Sequence, residues 1–301
     1  ETHEDILSID ASGMSTGGSY SETAPGGVGG AGRGRLTATT RTGSDGADTF
    51  IMSHKDDTID GGANPDPTAD IKGDTLDMRG AELVIGGVEI DLSNADDNVV
   101  SFNGFASTGI QKNFESVDLS NVTNTLNYGS IVTAHKGGSM VSGLNTGRDV
   151  IYGGAGDDDL RGNGGADTLR GGAGDDVLRG DAGDDNIIGG VGDDTIQGGA
   201  DNDIIQAGAG DDLITGGLGN DTVTGGTGTN TYIFNLNETT TDDVITDLNL
   251  TPATVVQQFY VQTTEDFTGN IKPNGAGAGT VLTGLDGIAI ADTASATFAG
   301  A

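Results

Sequence analysis

Between Leu144 and Ile233 the chain repeats itself every nine residues, in the register Gly-Gly-x-Gly-x-Asp-x-apolar-x. The clean copies are GGAGDDDLR (Gly153 to Arg161), GGAGDDVLR (Gly171 to Arg179), GGVGDDTIQ (Gly189 to Gln197) and GGLGNDTVT (Gly216 to Thr224). Ten consecutive windows keep the phase. The sixth position holds Asp149, Asp158, Asp167, Asp176, Asp185, Asp194, Asp203, Asp212 and Asp221, then Asn230. The eighth holds Ile151, Leu160, Leu169, Leu178, Ile187, Ile196, Ile205, Ile214, Val223 and Tyr232. A copy this short cannot bury an apolar face alone, so copies must stack. A solvated Asp/Gly linker is the alternative, but it gives no reason for an aliphatic residue at every eighth position.

Glycines at positions one, two and four permit positive φ and tight reversals. The last three positions favour a very short strand, its middle residue inward and its neighbours outward. A turn and a strand every nine residues make a flattened solenoid with two repeats per coil. Turns on one side then come from repeats n and n+2. Stacked strands lie about 4.8 Å apart, which holds the sixth-position aspartates of one edge close together. Like charges at that range repel unless a cation lies between them. Calcium suits such an edge, because it takes six to eight oxygens from carboxylates and carbonyls in flexible geometry.

The pattern resembles the RTX (hemolysin-type) family of calcium-binding nonapeptide repeats, on the ten copies quoted above. The resemblance implies an all-β fold, a right-handed parallel β-helix/β-roll solenoid with a β-rich C-terminal cap. It also implies a calcium ion between turns n and n+2, pairing Asp149 with Asp167, Asp158 with Asp176, and so on along the array. The last pair, Asp212 with Asn230, is expected to be weaker. Two degenerate copies precede the array: GSDGADTFI puts Asp48 and Phe50 in phase, and MSHKDDTID puts Asp57 and Ile59 in phase. Asp48 and Asp57 join the expected ligands on that basis. Some copies depart from the pattern. Asn163 and Asp181 replace the second glycine, Ala207 the first and Asp201 the fourth. Asn and Asp tolerate positive φ, so the first two are mild; Ala207 and Asp201 put their turns in question.

Charge points the same way. The 301 residues carry a formal net charge of −33. That balance opposes nucleic acid and anionic membranes and favours cation binding. The array alone has 17 Asp against 4 Arg. There is no cysteine, hence no disulfide framework. No apolar run approaches the roughly 18 residues of a membrane span. No signal peptide opens the sequence, and a start at Glu1 reads as a processed form or a fragment.

Four segments follow from the pattern. Residues 1–42 hold one short strand and a glycine-rich stretch. Residues 43–143 read as an irregular β-helix with degenerate repeats, or as a separate small β domain. Residues 144–233 are the β-roll. Residues 234–301 read as a cap, because the last coil of a solenoid has unpaired edges. Their uncharged end resembles an uncleaved type I secretion signal; an ordinary capping β domain is the alternative.

Catalytic motifs are weak. Gly27 to Gly32 spells GxGxxG without a β-α unit around it. Gly13 to Gly17 spells GxSxG, but Gly18, Ser19, Tyr20 and Ser21 make a poor helix to follow Ser15. His3, His54 and His135 form no HExxH. The chain therefore reads as no enzyme. The expectation is a bacterial calcium-binding structural protein, extracellular or at the cell surface. It would fold outside the cell and self-associate as a surface layer, matrix, filament or adhesin subunit. The expected partners are calcium, copies of itself, cell-surface polysaccharide and the type I secretion apparatus. The alternatives are the non-catalytic C-terminal domain of a type I secreted enzyme or toxin, and a calcium-dependent carbohydrate-binding module.

Overall fold

The computed structural model describes residues 8–10, 40–42, 48–51, 58–62, 74–78, 82–83, 86–93, 98–106, 111–235, 243–247, 258–262, 272–273, 282–283 and 288–290. Ser15, the GxGxxG stretch, His3, His54, Asp57 and the extreme C-terminal residues lie outside them. Among the described residues there is no helix. The chain forms two compact units, Glu1–Ile151 and Tyr152–Ala301.

In the second unit the repeats wind into a parallel β-roll. One sheet stacks the strands Asp159–Gly164, Val177–Ala182, Thr195–Ala200, Leu213–Leu218, Thr231–Asn235 and Gln258–Gln262. The other stacks Thr168–Ala173, Asn186–Val191, Ile204–Ala209, Thr222–Thr227, Asp243–Ile245 and Ile288–Ile290. Neighbours within the array are parallel and two repeats apart, as with Leu160 opposite Leu178 and Leu169 opposite Ile187. This is the two-repeat coil that the nine-residue period requires.

The array strands are longer than the three residues the pattern suggested. They run for six, from position seven through the two glycines to position three. Ladder hydrogen bonding continues through the Gly-Gly pair, so the reversal is confined to positions four to six. Along each strand the eighth and first positions are buried. The eighth-position column from Leu160 to Tyr232 is at most 3% exposed. One aliphatic side chain per nine residues makes a thin core. The inward glycines keep it thin, since they add backbone and no side chain.

The roll continues beyond the matched pattern. Val223 lies opposite Ile245 and Thr222 opposite Val244, so Asp243 and Ile245 take the sixth and eighth positions of a further rung. Ile245 is fully buried. An insertion between Asn230 and Asp243 hides this rung from a strict nine-residue count.

The first unit is a wider parallel coil. Thr58–Asp60, Thr75–Asp77, Glu82–Leu83 and Val88–Asp91 are matched in order by Gln111–Lys112, Ser116–Asp118, Thr123–Asn124 and Ser130–Thr133, each pair parallel. Four strands per coil replace the two of the repeats. A hairpin interrupts them. Val99–Phe102 and Phe105–Ala106 pair antiparallel beside Val88–Asp91, turning through Asn103 and Gly104 at φ 54 and 73. Ile59, Leu76, Ile90, Val117 and Val132 are buried, and Phe50 meets Phe114 edge-on at 5.9 Å between ring centres.

Candidate metal centre

The sixth-position aspartates of the roll are almost completely buried, at 1–2% exposure from Asp158 to Asp221. Each is held in the same way. The Asp176 Oδ1 accepts the backbone N–H of Asp158 at 2.8 Å. Asp194 accepts from Asp176 at 2.9 Å, and Asp212 from Asp194 at 3.0 Å. On the other edge Asp185 accepts from Asp167, Asp203 from Asp185 and Asp221 from Asp203, at 2.7, 2.9 and 2.9 Å. From Asp158 to Asp203, each turn is thus tied to the turn two repeats on by a carboxylate.

The second oxygen of these carboxylates decides what the site can hold. In Asp176, Asp185, Asp194, Asp203 and Asp212 the Oδ2 is buried and accepts no hydrogen bond from the protein. A buried acceptor without a donor is costly. The Asp176 Oδ2 packs on the Cα of Gly171, where an added Cβ would overlap it and come 2.8 Å from the carbonyl oxygen of Gly189. The same arrangement recurs at Gly180 with Asp185 and Gly198, and at Gly198 with Asp203 and Gly216. A carboxylate oxygen and a main-chain carbonyl oxygen therefore face one place, and neither is a donor while the carboxylate is ionised.

This corrects one part of the sequence reading. Position-one glycines do not use positive φ; at Gly171, Gly180 and Gly198 an added Cβ would instead meet two converging oxygens. Positive φ belongs to positions two and four, as at Gly172 (φ 122) and Gly174 (φ 128). Asn163, Asp181 and Asp201 adopt the same region at φ 74, 75 and 78. The turn containing Asp201 keeps its ladder, with Asp203 accepting from Asp185. Ala207 is fully buried at position one, and Asp212 still accepts from Asp194.

Burial also sets the protonation of the metal-free site. It pushes the Asp176 and Asp212 carboxyls up from 3.8 to about 6, Asp185 and Asp194 to about 7, and Asp203 to about 8. The N–H that each accepts pulls the other way, and neighbouring carboxylates add to the rise. A cation in the site relieves both the desolvation and the repulsion. No three carboxylate or imidazole groups converge among the described residues. The donor set is carboxylate and carbonyl oxygen alone, which fits a hard cation and not a soft one.

Two ends of the array differ from its middle. Asp149 has its Oδ1 on the N–H and hydroxyl of Ser130, at 2.7 and 2.8 Å, and its Oδ2 on the N–H of Leu144 at 2.7 Å. At the far end Asn230 accepts from Asp212 at 3.0 Å, and the buried Tyr232 hydroxyl bonds Asn230 and abuts Gly225. A neutral Asn-Tyr pair replaces the carboxylate there. Asp48, in the first unit, donates its N–H to Asp74 Oδ1 at 2.8 Å. Asp57 lies outside the described residues.

A second ladder escaped the sequence reading. Fifth-position side chains are exposed and bond in the opposite direction. Asp157 Oδ1 accepts from the N–H of Asp175, Asp175 from Asp193, Asp193 from Asp211, and Asp211 from Thr229, at 2.7–2.9 Å. The run of Asp and Asn at that position in the repeats was its signal.

A parallel roll whose glycine turns present carboxylate and carbonyl oxygens to a hard cation defines the class: a cation-binding β-roll. The RTX calcium-binding nonapeptide repeat (four copies) matches at residues 145–169, 161–196 and 197–232. Residues 145–232 therefore match RTX repeats, which implies a structural calcium-binding domain over that stretch. No curated protein matches the chain.

Proposed function

We propose that the chain is a secreted bacterial structural protein that folds on calcium outside the cell and self-associates there. The supporting observation is the stack of buried aspartates whose Oδ2 atoms accept no hydrogen bond from the protein. A fold that buries ionised carboxylates is disfavoured without a cation, so the energy of binding becomes energy of folding. In this reading the sixth-position aspartates from Asp158 to Asp221 hold calcium between coils, with glycine carbonyls beside them. The roll has no catalytic task.

Self-association is supported by apolar residues on the outside of the roll. Val191, Ile204 and Leu218 are each more than half exposed. Among the described residues no helix is long and apolar enough to cross a membrane. Export through a type I apparatus and a place at the cell surface belong to the same proposal, as does the division into a lead-in coil, a roll and a C-terminal cap.

The test is hydrodynamic radius by light scattering, from chelator to about 10 mM calcium, a range that covers extracellular modules. Compaction followed by growth into large particles is the expected result. Compaction that stops at the monomer overturns self-assembly and favours a passive module of a larger secreted enzyme or a carbohydrate-binding module. No compaction overturns calcium-driven folding.

A further inference from the structure

We infer that the first unit carries its own divalent-cation site, built on Asp74, Glu115 and the main-chain carbonyl of Asn113, outside the matched repeats. Asp74 is 1% exposed. Its Oδ1 accepts the N–H of Asp48 at 2.8 Å, and its Oδ2 is buried and accepts no hydrogen bond. That Oδ2 faces the Cα of Gly61, where an added Cβ would lie 2.7 Å from it and would overlap the carbonyl oxygen of Asn113. The N–H of Asp74 in turn donates to Glu115 Oε2 at 2.8 Å.

Each part has a counterpart in the roll. Asp48, Asp74 and Glu115 form a ladder of N–H to carboxylate, as Asp158, Asp176 and Asp194 do. Gly61 and Gly62 stand where Gly171 and Gly172 stand, and Gly62 has φ 113 against 122 at Gly172. The register sets Ile59 and Asp60 opposite Gln111 and Lys112, which brings Asn113 opposite Gly61. It sets Thr75 and Leu76 opposite Ser116 and Val117, which brings Glu115 opposite Asp74. Asp60 steadies the turn, its Oδ1 accepting from Asn113 Nδ2 at 2.7 Å and from the N–H of Gly62 at 3.2 Å.

The sequence conceals this because the turn lengths have changed. A long segment separates Gly62 from Asp74, and only Phe114 separates Asn113 from Glu115. The nine-residue count is lost on both coils, while Asp74 Oδ2 and the Asn113 carbonyl oxygen still converge at Gly61. Two carboxylates and a carbonyl suit a hard cation of the calcium type, with water completing its shell. Such an ion would bridge the two coils of the first unit independently of the roll.

The experiment counts bound calcium by equilibrium dialysis on the full 301-residue chain, with far-UV circular dichroism alongside. Asp74→Asn keeps the acceptor for Asp48 and removes the charge. It should lose about one ion per chain and leave the calcium midpoint of the roll unchanged. Asp176→Asn is the control, which lowers the count in the roll and leaves the Asp74 ion. An unchanged count in Asp74→Asn overturns the inference. Should Asp74→Asn lose many ions through misfolding, Glu115→Gln decides: loss or weakening of one ion supports the site, and an unaltered isotherm refutes it. If the roll bound no calcium while this site did, the chain would bind about one ion, lost in Asp74→Asn and kept in Asp176→Asn.

Discussion

Asp176 is asked to do two opposed things. Its Oδ1 holds the next turn in register, and its Oδ2 waits on a carbonyl oxygen that cannot donate to it. Asp176→Asn should separate the two roles. The amide keeps the acceptor for Asp158 and can donate to the Gly189 carbonyl, as a carboxylate cannot. The calcium-free roll should become more stable above neutral pH, and the calcium midpoint should rise. Paired denaturation curves with and without calcium check this; a shift of the same sign in both would contradict the opposed roles. Gly171→Ala probes the same place from the other side. Its Cβ runs into Asp176 Oδ2 and nears the Gly189 oxygen, so a loss of about 1–3 kcal/mol is expected from chemical denaturation in calcium. A loss near zero would mean that the two oxygens do not converge there. The sixth-position aspartates were legible because the period isolates them. The reason for a glycine at position one was not, since close approach of an oxygen two repeats away leaves no mark in a local pattern.

For an element such as the stacked roll, pH is the cleaner variable. The buried carboxyls have folded values of about 6 to about 8 against an ordinary 3.8. A raised folded value means that the folded state binds more protons than the unfolded one. The stability from these groups is full below about pH 4 and is lost as pH rises through 6 to 8. Calcium-free protein should therefore hold more β-structure at pH 5 than at pH 8, read by far-UV circular dichroism. In saturating calcium the trend should reverse, because protons compete for the same oxygens. Equal spectra at both pH values without calcium would refute the buried-carboxylate account. The ion pairs on the sheet faces matter less. Arg161 with Asp181 and Arg179 with Asp159 join adjacent coils at exposed positions. Pairs of that kind contribute about 0–1 kcal/mol. Strand positions were legible at this scale to within a residue or two at the apolar centre. Their length was not, because glycine pairs read as turns when the ladder in fact runs through them.

Considered as a whole molecule, the roll depends on the rung that continues it past the repeats. Asp243 accepts the N–H of Asp221 at 3.0 Å, and Asp247 takes the N–H groups of Gly225 and Gly226 at 2.8 and 2.6 Å. Asp247→Ala strips both acceptors from the edge of the roll. Amide exchange at Gly225 and Gly226 should quicken while the centre of the array stays protected, since repeat stability is summed between neighbours. Uniform protection throughout would deny Asp247 its closing role. This rung and the Asp74 coil share a reason for being hard to read. Both keep the oxygen geometry across insertions, and periodicity is a signal that a single insertion destroys.

The two fifth-position rows differ in composition. One is Asp157, Asp175, Asp193 and Asp211; the other is Ala166, Asp184, Asn202 and Asn220. The two long margins of the roll are thus unlike, one strongly acidic and one nearly neutral. A gain or loss of nine residues would swap the margins beyond that point and set Asn rows against Asp rows. A gain or loss of eighteen would pass without a seam. The gene for such a protein can lengthen or shorten the roll by pairs of repeats and keep a molecule with a distinct left and right.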